Sequence, residues 1–458
     1  MTAFVVEPAA RPLSGRVAVP GDKSIGHRSI LFASLCDGEV DVSGLSGGQD
    51  NARTRAAMAA MGVEFTELGA GHVRVRGVGV DGLRAPDGDI DCGNSGTSMR
   101  LLAGLLAGQR FAARLTGDPS LSRRPMRRVA EPLRSMGAEV EGMGRADKPG
   151  EIYAPLLVRG GGAAGLRGID IELAVASAQV KSAILLAGMY AADAVRVREP
   201  GPSRDHTERM LQHMGAPLVS GHGSVVFDPV GWDRRLTARA LVVPGDPSSA
   251  AFLVAAGLVV AGSRVEVTDV CLNRTRVGFL DALTEMGAPV ATSGAVHVTG
   301  ESVGDLVVSP GAGRAPLRGC VIEGDTTVRA IDELPVLSVV AAMASGVTDM
   351  RDAAELRVKE SDRIATTCAM LRAFGVECEE RPDGLAVRGQ PGRRLRAAHV
   401  DSGGDHRIAM AATVAALAAD GPSRIEDVDN VATSYPGFAD AINQLAGATV
   451  VTVVDGEG

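Results

Sequence analysis

Six times along the chain a helix-like stretch ends in a glycine followed by a small apolar residue. The six endings are Met61-Gly62-Val63, Met136-Gly137-Ala138, Met214-Gly215-Ala216, Met286-Gly287-Ala288, Phe374-Gly375-Val376 and Ala446-Gly447-Ala448. Glycine at that place fits a left-handed helix C-cap. β-rich sequence follows, as in His72-Val73-Arg74-Val75-Arg76, Gly294-Ala295-Val296-His297-Val298 and Thr449-Val450-Val451-Thr452-Val453-Val454. Before each ending lies a second, more apolar helix whose entrance is polar or glycine-rich. The entrances are Asp22-Lys23-Ser24, Gly93-Asn94-Ser95-Gly96-Thr97, Ala176-Ser177-Ala178-Gln179, Gly245-Asp246-Pro247-Ser248-Ser249, Ala330-Ile331-Asp332-Glu333 and Gly404-Asp405-His406-Arg407. One repeat is therefore a buried helix, a more amphipathic helix and several strands. Two sets of three repeats make two pseudo-symmetric α/β domains, and a length of 458 residues is too great for one ordinary core.

The entrances also carry chemistry. In Pro20-Gly21-Asp22-Lys23-Ser24-Ile25-Gly26-His27-Arg28-Ser29 a cap precedes an apolar helix, which leaves backbone N–H groups and a lysine at the tip. Ser24 and Arg28 share a face one turn down. Alone, the segment reads first as an ordinary capped helix with solvated basic residues. Six such entrances change that reading: Lys23, Gln179, Asp332 and Arg407 stand at equivalent positions, and parallel buried helices would make their entrances converge on one cleft.

Composition excludes several classes of function. A net charge of −8 without a long Lys/Arg cluster, and 3% aromatic residues, argue against a nucleic-acid surface. The most apolar runs, Ala250 to Gly262 and Ile408 to Ala419, fall short of the roughly 20 residues that span a bilayer. The first eight residues lack the basic start and apolar core of a signal peptide. Six cysteines without a CxxC pair suggest reduced thiols in a cytoplasm. Gly21-Asp22-Lys23-Ser24 matches the end of a nucleotide P-loop but lacks its earlier glycine. His206 and His213 have no HExxH pattern or Cys/His cluster with them, so no metal site and no cofactor are assigned.

The densest candidate segment is Glu355-Leu356-Arg357-Val358-Lys359-Glu360-Ser361-Asp362-Arg363. On one helix Lys359 and Arg363 would share a face, with Glu360 three before Arg363; a surface salt-bridge ladder is the alternative. Asp332 adds a second acid in the same half. An acid among cations can move a proton beside a bound anion.

These motifs, together with Arg124-Pro125-Met126, Ser177-Ala178-Gln179-Val180-Lys181 and Thr433-Ser434-Tyr435-Pro436, resemble the 5-enolpyruvylshikimate-3-phosphate synthase family over nearly the whole chain. Arg204-Asp205-His206-Thr207-Glu208, Ser177 to Lys181 and Asn273-Arg274-Thr275-Arg276 look like the signatures of its class II branch. The resemblance implies an enolpyruvyl transferase fold, an inside-out α/β barrel with three βαβαββ units in each of two domains. Residues 21–243 would form one domain, residues 1–20 with 244–458 the other, and the site would lie in the cleft that closes on substrate.

The implied reaction moves the enolpyruvyl group of phosphoenolpyruvate to the 5-hydroxyl of shikimate 3-phosphate and releases phosphate. By motif, Asp332 would be the base, Glu360 the proton donor, and Lys23 would stand between both substrates. Phosphoenolpyruvate would meet Lys23, Gly96, Arg124, Gln179, Arg363 and Arg407, with Asn94 beside Gly96. Shikimate 3-phosphate would meet Ser24, Arg28, Ser177, Ala178, Gln179, Arg204, Asp332 and Lys359. Ala178 replaces a serine of enteric-type enzymes, Glu355 an asparagine and Thr433 a lysine, and the roles of those three side chains do not carry over. Gly96 stands where well-known glyphosate-tolerant members have alanine, so the resemblance implies room for the inhibitor glyphosate. It also implies a monomer. The sister transferase acting on a UDP-aminosugar usually uses a cysteine near Gly117-Asp118-Pro119-Ser120-Leu121, where this chain has none. A catalytically silent phosphate-binding module is disfavoured by the joint presence of Asp332, Lys359, Glu360 and Arg363.

Overall fold

The computed structural model describes residues 2–161, 165–221, 223–237, 240–309 and 317–455. The chain divides into a terminal unit, Met1–Pro20 with Pro244–His297 and Ser302–Gly458, and a central unit, Gly21–Val243 with Val298–Glu301. Six buried helices follow the six polar entrances: α1 (Lys23–Ser34), α2 (Gly96–Ala107), α3 (Ala178–Gly188), α4 (Pro247–Val259), α5 (Leu334–Ala342) and α6 (His406–Ala416). The first three belong to the central unit and the last three to the terminal unit.

Local chemistry sets where these helices begin. Asp22 Oδ1 accepts from Ile25 N at 2.8 Å, Ser95 Oγ from Ser98 N at 3.1 Å, and Asp246 Oδ1 from Ser248 N at 2.8 Å. Each bond satisfies a backbone donor that the first helical turn leaves without a partner. Helix α5 instead uses Pro335 in its first turn, where the absent N–H costs nothing. All thirteen residues of α4 are buried, so its apolar surface faces protein on every side. A fully buried Val, Leu or Phe side chain contributes about 1.5–3 kcal/mol.

A helix with one exposed face follows each buried one: Gln49–Ala60, Arg127–Met136, His206–His213, Gly278–Glu285, Arg363–Ala373 and Phe438–Ala446. After Arg127–Met136, Gly137 takes φ +108° and Ala138 N donates back to Leu133 O at 3.0 Å, the geometry that stops a helix and turns the chain into a strand. The other five glycine endings also have positive φ.

Among the described residues each unit carries three four-stranded sheets of one design. Two strands run parallel, and the second pairs antiparallel with a third. A buried helix joins the parallel pair, as α2 joins Ile90–Asp91 to Ala112–Thr116. This is the βαβαββ repeat.

Two repeats depart from it by exchange. Strand Ser14–Ala18 precedes α1 but pairs with Arg264–Cys271, which follows α4. Strand Ala240–Val242 precedes α4 but pairs with Asp37–Ser43, which follows α1. Each unit thus receives one strand from the stretch of sequence just before the chain enters the other.

The buried helices of a unit lie close together. A Cβ on Gly104 of α2 would sit 2.2 Å from the carbonyl oxygen of Ala183 on α3, so only glycine lets the two backbones meet there. That contact fixes the spacing of two helices whose entrances carry Gly96 and Gln179.

Candidate active site

The entrances of the terminal unit build a cluster around Asp332, in the short link between Gly324–Ala330 and α5. Its Oδ1 lies 3.5 Å from Lys359 Nζ and 3.2 Å from Arg363 Nη1. Arg407, in the first turn of α6, donates through Nη1 to the Asp332 carbonyl at 2.9 Å, and its Nη2 lies 3.8 Å from Oδ2. One carboxylate is therefore held on three cations.

Arg363 is the most enclosed of these, with 2% of its side chain exposed. Nε donates to Asp405 Oδ2 at 2.8 Å, Nη1 reaches Asp332, and Nη2 donates to Glu360 Oε2 at 2.5 Å. Burial alone would lower its pKa, but Glu360, Asp405 and Asp332 more than reverse that and hold it charged. Asp405 also accepts from Arg407 N at 2.9 Å, so it caps α6 while bracing Arg363. A further pair lies beneath Arg407. Arg276 Nη2 is 2.9 Å from Asp246 Oδ1 and 3.2 Å from Ser248 Oγ, and Ser248 donates to Glu333.

One expectation about this segment is corrected. Lys359 and Arg363 do not share a helix face: Ala354–Val358 is a short 3-10 turn, Lys359 is extended at φ −82°, ψ −151°, and a new α-helix starts at Arg363. Asp362 breaks the run because its carboxylate caps that new helix, accepting from Ala365 N at 3.1 Å. Lys359 and Arg363 still meet on Asp332, from two elements instead of one.

The central unit places its candidates at the entrances of α1, α2 and α3. Lys23 opens α1 with Nζ 3.2 Å from Asp50 Oδ2. Ser24 follows it, and the Ser24 carbonyl accepts from Arg28 Nη1 at 2.9 Å. Arg28 is buried, and its Nε and Nη2 donate to Thr207 Oγ1 and Ser182 Oγ, each at 2.7 Å. Burial pushes its pKa down to about 10, against the pull of Glu208 and Asp22; Arg204 adds a repelling charge. Asn94 donates to Asp118 Oδ2 at 2.7 Å and accepts from Arg124 Nη2 at 2.7 Å, which holds Arg124 beside the entrance of α2. Gly96 is the first residue of α2. Gln179 bridges two entrances, donating to Thr97 Oγ1 at 2.9 Å and accepting from Arg100 Nη1 at 2.7 Å. Ser177 caps α3, and Ala178 is its first residue.

Within the central unit the structure thus brings together Gly96, Arg124, Asn94 and Gln179, and separately Ser24 with Arg28. Within the terminal unit it brings together Asp332, Glu360, Lys359, Arg363 and Arg407. Sequence reasoning did not single out Arg100, Thr97 or Asp405 as site residues. Arg100 had a readable signal, since it lies four residues after Gly96 on the same helix. Both clusters carry cations that suit anions, and the terminal one also places the Asp332 and Glu360 carboxylates against Arg363, where they can move protons.

The family model for EPSP synthase (3-phosphoshikimate 1-carboxyvinyltransferase) matches residues 8–442. The chain belongs to the EPSP synthase family. It is 49% identical over 437 residues to 3-phosphoshikimate 1-carboxyvinyltransferase from Geobacter sulfurreducens, covering 95% of this chain and 98% of that one. Its identity to the same-named protein from Alkalilimnicola ehrlichii is 49% over 455 residues, 99% of this chain and 97% of the other. The EPSP synthase of Acinetobacter baumannii superposes with a TM-score of 0.88 at 38% identity, covering 99% of this chain and all of that one. The enolpyruvyl transferase NikO from Streptomyces tendae shares the fold, with a TM-score of 0.76 at 18% identity over 99% of this chain and 98% of that one. Membership makes the chain an enzyme, and the reaction of EPSP synthases is enolpyruvyl transfer from phosphoenolpyruvate to shikimate 3-phosphate in aromatic biosynthesis. Among the described residues no helix is long and apolar enough to cross a membrane.

Proposed function

We propose that the two clusters serve one pair of substrates and divide the family's reaction between them. Asp332 takes the proton from the 5-hydroxyl of shikimate 3-phosphate as that oxygen bonds to C2 of phosphoenolpyruvate. Glu360 gives a proton to the methylene carbon, forming the tetrahedral intermediate. In the second step Glu360 takes a proton back from the new methyl group, the C2–O bond to phosphate breaks with Asp332 returning its proton to the departing phosphate, and the product carries a vinyl ether. Lys23, Arg124, Arg363 and Arg407 balance the phosphate and carboxylate of phosphoenolpyruvate, with Asn94, Gly96 and Gln179 beside them. Ser24, Arg28, Ser177, Ala178, Gln179, Arg204 and Lys359 hold shikimate 3-phosphate.

The observation that carries this reading is Asp332 itself. Its Oδ1 lies within 3.5 Å of both Lys359 and Arg363, which sets a proton acceptor beside the cations that would hold the adjoining anion. The test is phosphate release with each substrate omitted in turn, in the wild type and in Asp332→Asn. Release should need both substrates, and the variant should lose about 10²- to 10⁴-fold in kcat while still binding shikimate 3-phosphate. Full turnover in the variant would remove Asp332 from the mechanism. We further propose glyphosate as an inhibitor, a monomeric state, and a cytoplasmic location.

A further inference from the structure

Two segments that look independent in the sequence, Ser177 to Lys181 and Arg204 to Glu208, are joined in the central unit by one buried ion triad. Lys181 Nζ lies 2.5 Å from Glu199 Oε2 and 2.8 Å from Glu208 Oε1. The side chains are 6%, 6% and 3% exposed in that order. Burial works against the charge on Lys181, and Glu208 and Glu199 more than restore it.

Each end of this triad leads to a residue proposed to hold shikimate 3-phosphate. At one end Glu199 Oε1 accepts from the backbone N–H of Ser177 at 3.2 Å and so fixes the entrance of α3. At the other end, Lys181 is followed by Ser182 and Glu208 is preceded by Thr207. The pair therefore sets how α3 and helix His206–His213 face each other. Ser182 Oγ and Thr207 Oγ1 meet at 2.7 Å, and these same two oxygens accept from Arg28 Nη2 and Nε. Ser182 and Thr207 are 0% and 1% exposed, so no water substitutes for either.

We infer that Lys181 and Glu208 are positioning residues for shikimate 3-phosphate: their ion pair locks two helices so that Ser177 and Arg28 are presented at a fixed spacing. Neither residue touches a reacting atom. Each acts through a neighbour: Lys181 through Glu199 on Ser177, and the pair through Ser182 and Thr207 on Arg28. A loosened lock leaves Lys23, Gly96, Arg124 and the Asp332 cluster in place; of the phosphoenolpyruvate contacts only Gln179 lies on α3, and its bonds to Thr97 and Arg100 hold it to α2, so the effect falls on shikimate 3-phosphate. The inference rests on the assignment of Ser177 and Arg28 made above.

The test measures KM for each substrate and kcat in the wild type, Lys181→Met, Glu208→Gln and the double variant. Lys181→Met should raise KM for shikimate 3-phosphate at least tenfold, and Glu208→Gln about three- to tenfold, with kcat and KM for phosphoenolpyruvate within threefold of wild type. The double variant should be no worse than Lys181→Met, because the two changes remove one interaction. If Lys181→Met does not fold, the isosteric Glu208→Gln decides. An unchanged KM for shikimate 3-phosphate in a folded variant overturns the inference, as does an equal rise for both substrates. A wild type that turns over normally beside unaffected variants sinks this inference alone. A wild type that does not bind shikimate 3-phosphate sinks the underlying assignment and this inference with it.

Discussion

Arg363 Nε donates to Asp405 Oδ2 over 2.8 Å, with 2% of one side chain and none of the other exposed. Burial raises the pKa of Asp405, but Arg363, then His406, bring it below the ordinary aspartate range. A carboxylate with a lowered folded pKa binds its proton less readily than in the unfolded chain. Its contribution to stability is therefore complete above the unfolded value, near pH 4, and is lost as pH falls through the lower folded value. Asp405→Asn should destabilise the protein by about 3 kcal/mol at pH 7 by leaving Arg363 short of a charge partner. It should also flatten the acid limb of the stability curve. Urea unfolding between pH 3 and 7 reads both, and an acid limb unchanged by the substitution would show that Asp405 is not the titrating partner.

Arg363 reaches three carboxylates with three different nitrogens. Arg363→Lys keeps the charge but has no planar fork to span them. Loss of two charge-assisted bonds at about 1.5–3 kcal/mol each predicts at least a hundredfold fall in kcat/KM for phosphoenolpyruvate. Steady-state kinetics check this, and near-normal values would mean that charge alone suffices.

A methyl group at Gly96 would lie 2.7 Å from Arg100 Nη1 and 3.4 Å from Arg124 Nη1. Both are mobile tips of long side chains, so Gly96→Ala folds, but Arg100 must shift from its position on Gln179. The expected result is inhibition by glyphosate weakened about tenfold or more, with a smaller rise in KM for phosphoenolpyruvate. An inhibition constant equal to that of wild type would remove Gly96 as the determinant.

Gly104 has no room for any side chain, since the atoms facing it are Ala183 backbone. Gly104→Leu forces α2 and α3 apart and should cost about 1–3 kcal/mol. It should also weaken phosphoenolpyruvate binding by moving Gly96 relative to Gln179. Thermal unfolding with and without substrates measures the two effects, and a Tm equal to wild type would contradict the packing.

The sequence made the repeat legible because its marks are local. Asp22, Ser95 and Asp246 act within three residues of themselves, and Gly137 turns the chain by its own φ. The Glu355–Arg363 segment was misread as one helix because spacing alone does not reveal that Asp362 prefers the cap to the interior. Three links were invisible for another reason. Arg100 on Gln179, Arg363 on Asp405 and Lys181 on Glu208 join residues that only the packing of separate elements brings together. Sequence named most members of both clusters but, apart from the Glu360–Arg363 pair three residues apart, not the bonds that aim them.

The exchange of strands Ser14–Ala18 and Ala240–Val242 sets an order of events on the ribosome. The central unit has all its strands for pairing once residue 243 has emerged, so it can fold while the second half is still being made. The first twenty residues cannot follow. Ser14–Ala18 waits for Arg264–Cys271, and Thr2–Val6 waits for Ser423–Glu426 and Val451–Asp455. The nascent chain therefore carries two unpaired strands until Arg264–Cys271 has emerged, and one of them, Thr2–Val6, until Ser423–Glu426 is made. A ribosome that stalls between these points holds a central unit whose strands are paired beside an exposed, aggregation-prone strand, Thr2–Val6, whose partners are translated last.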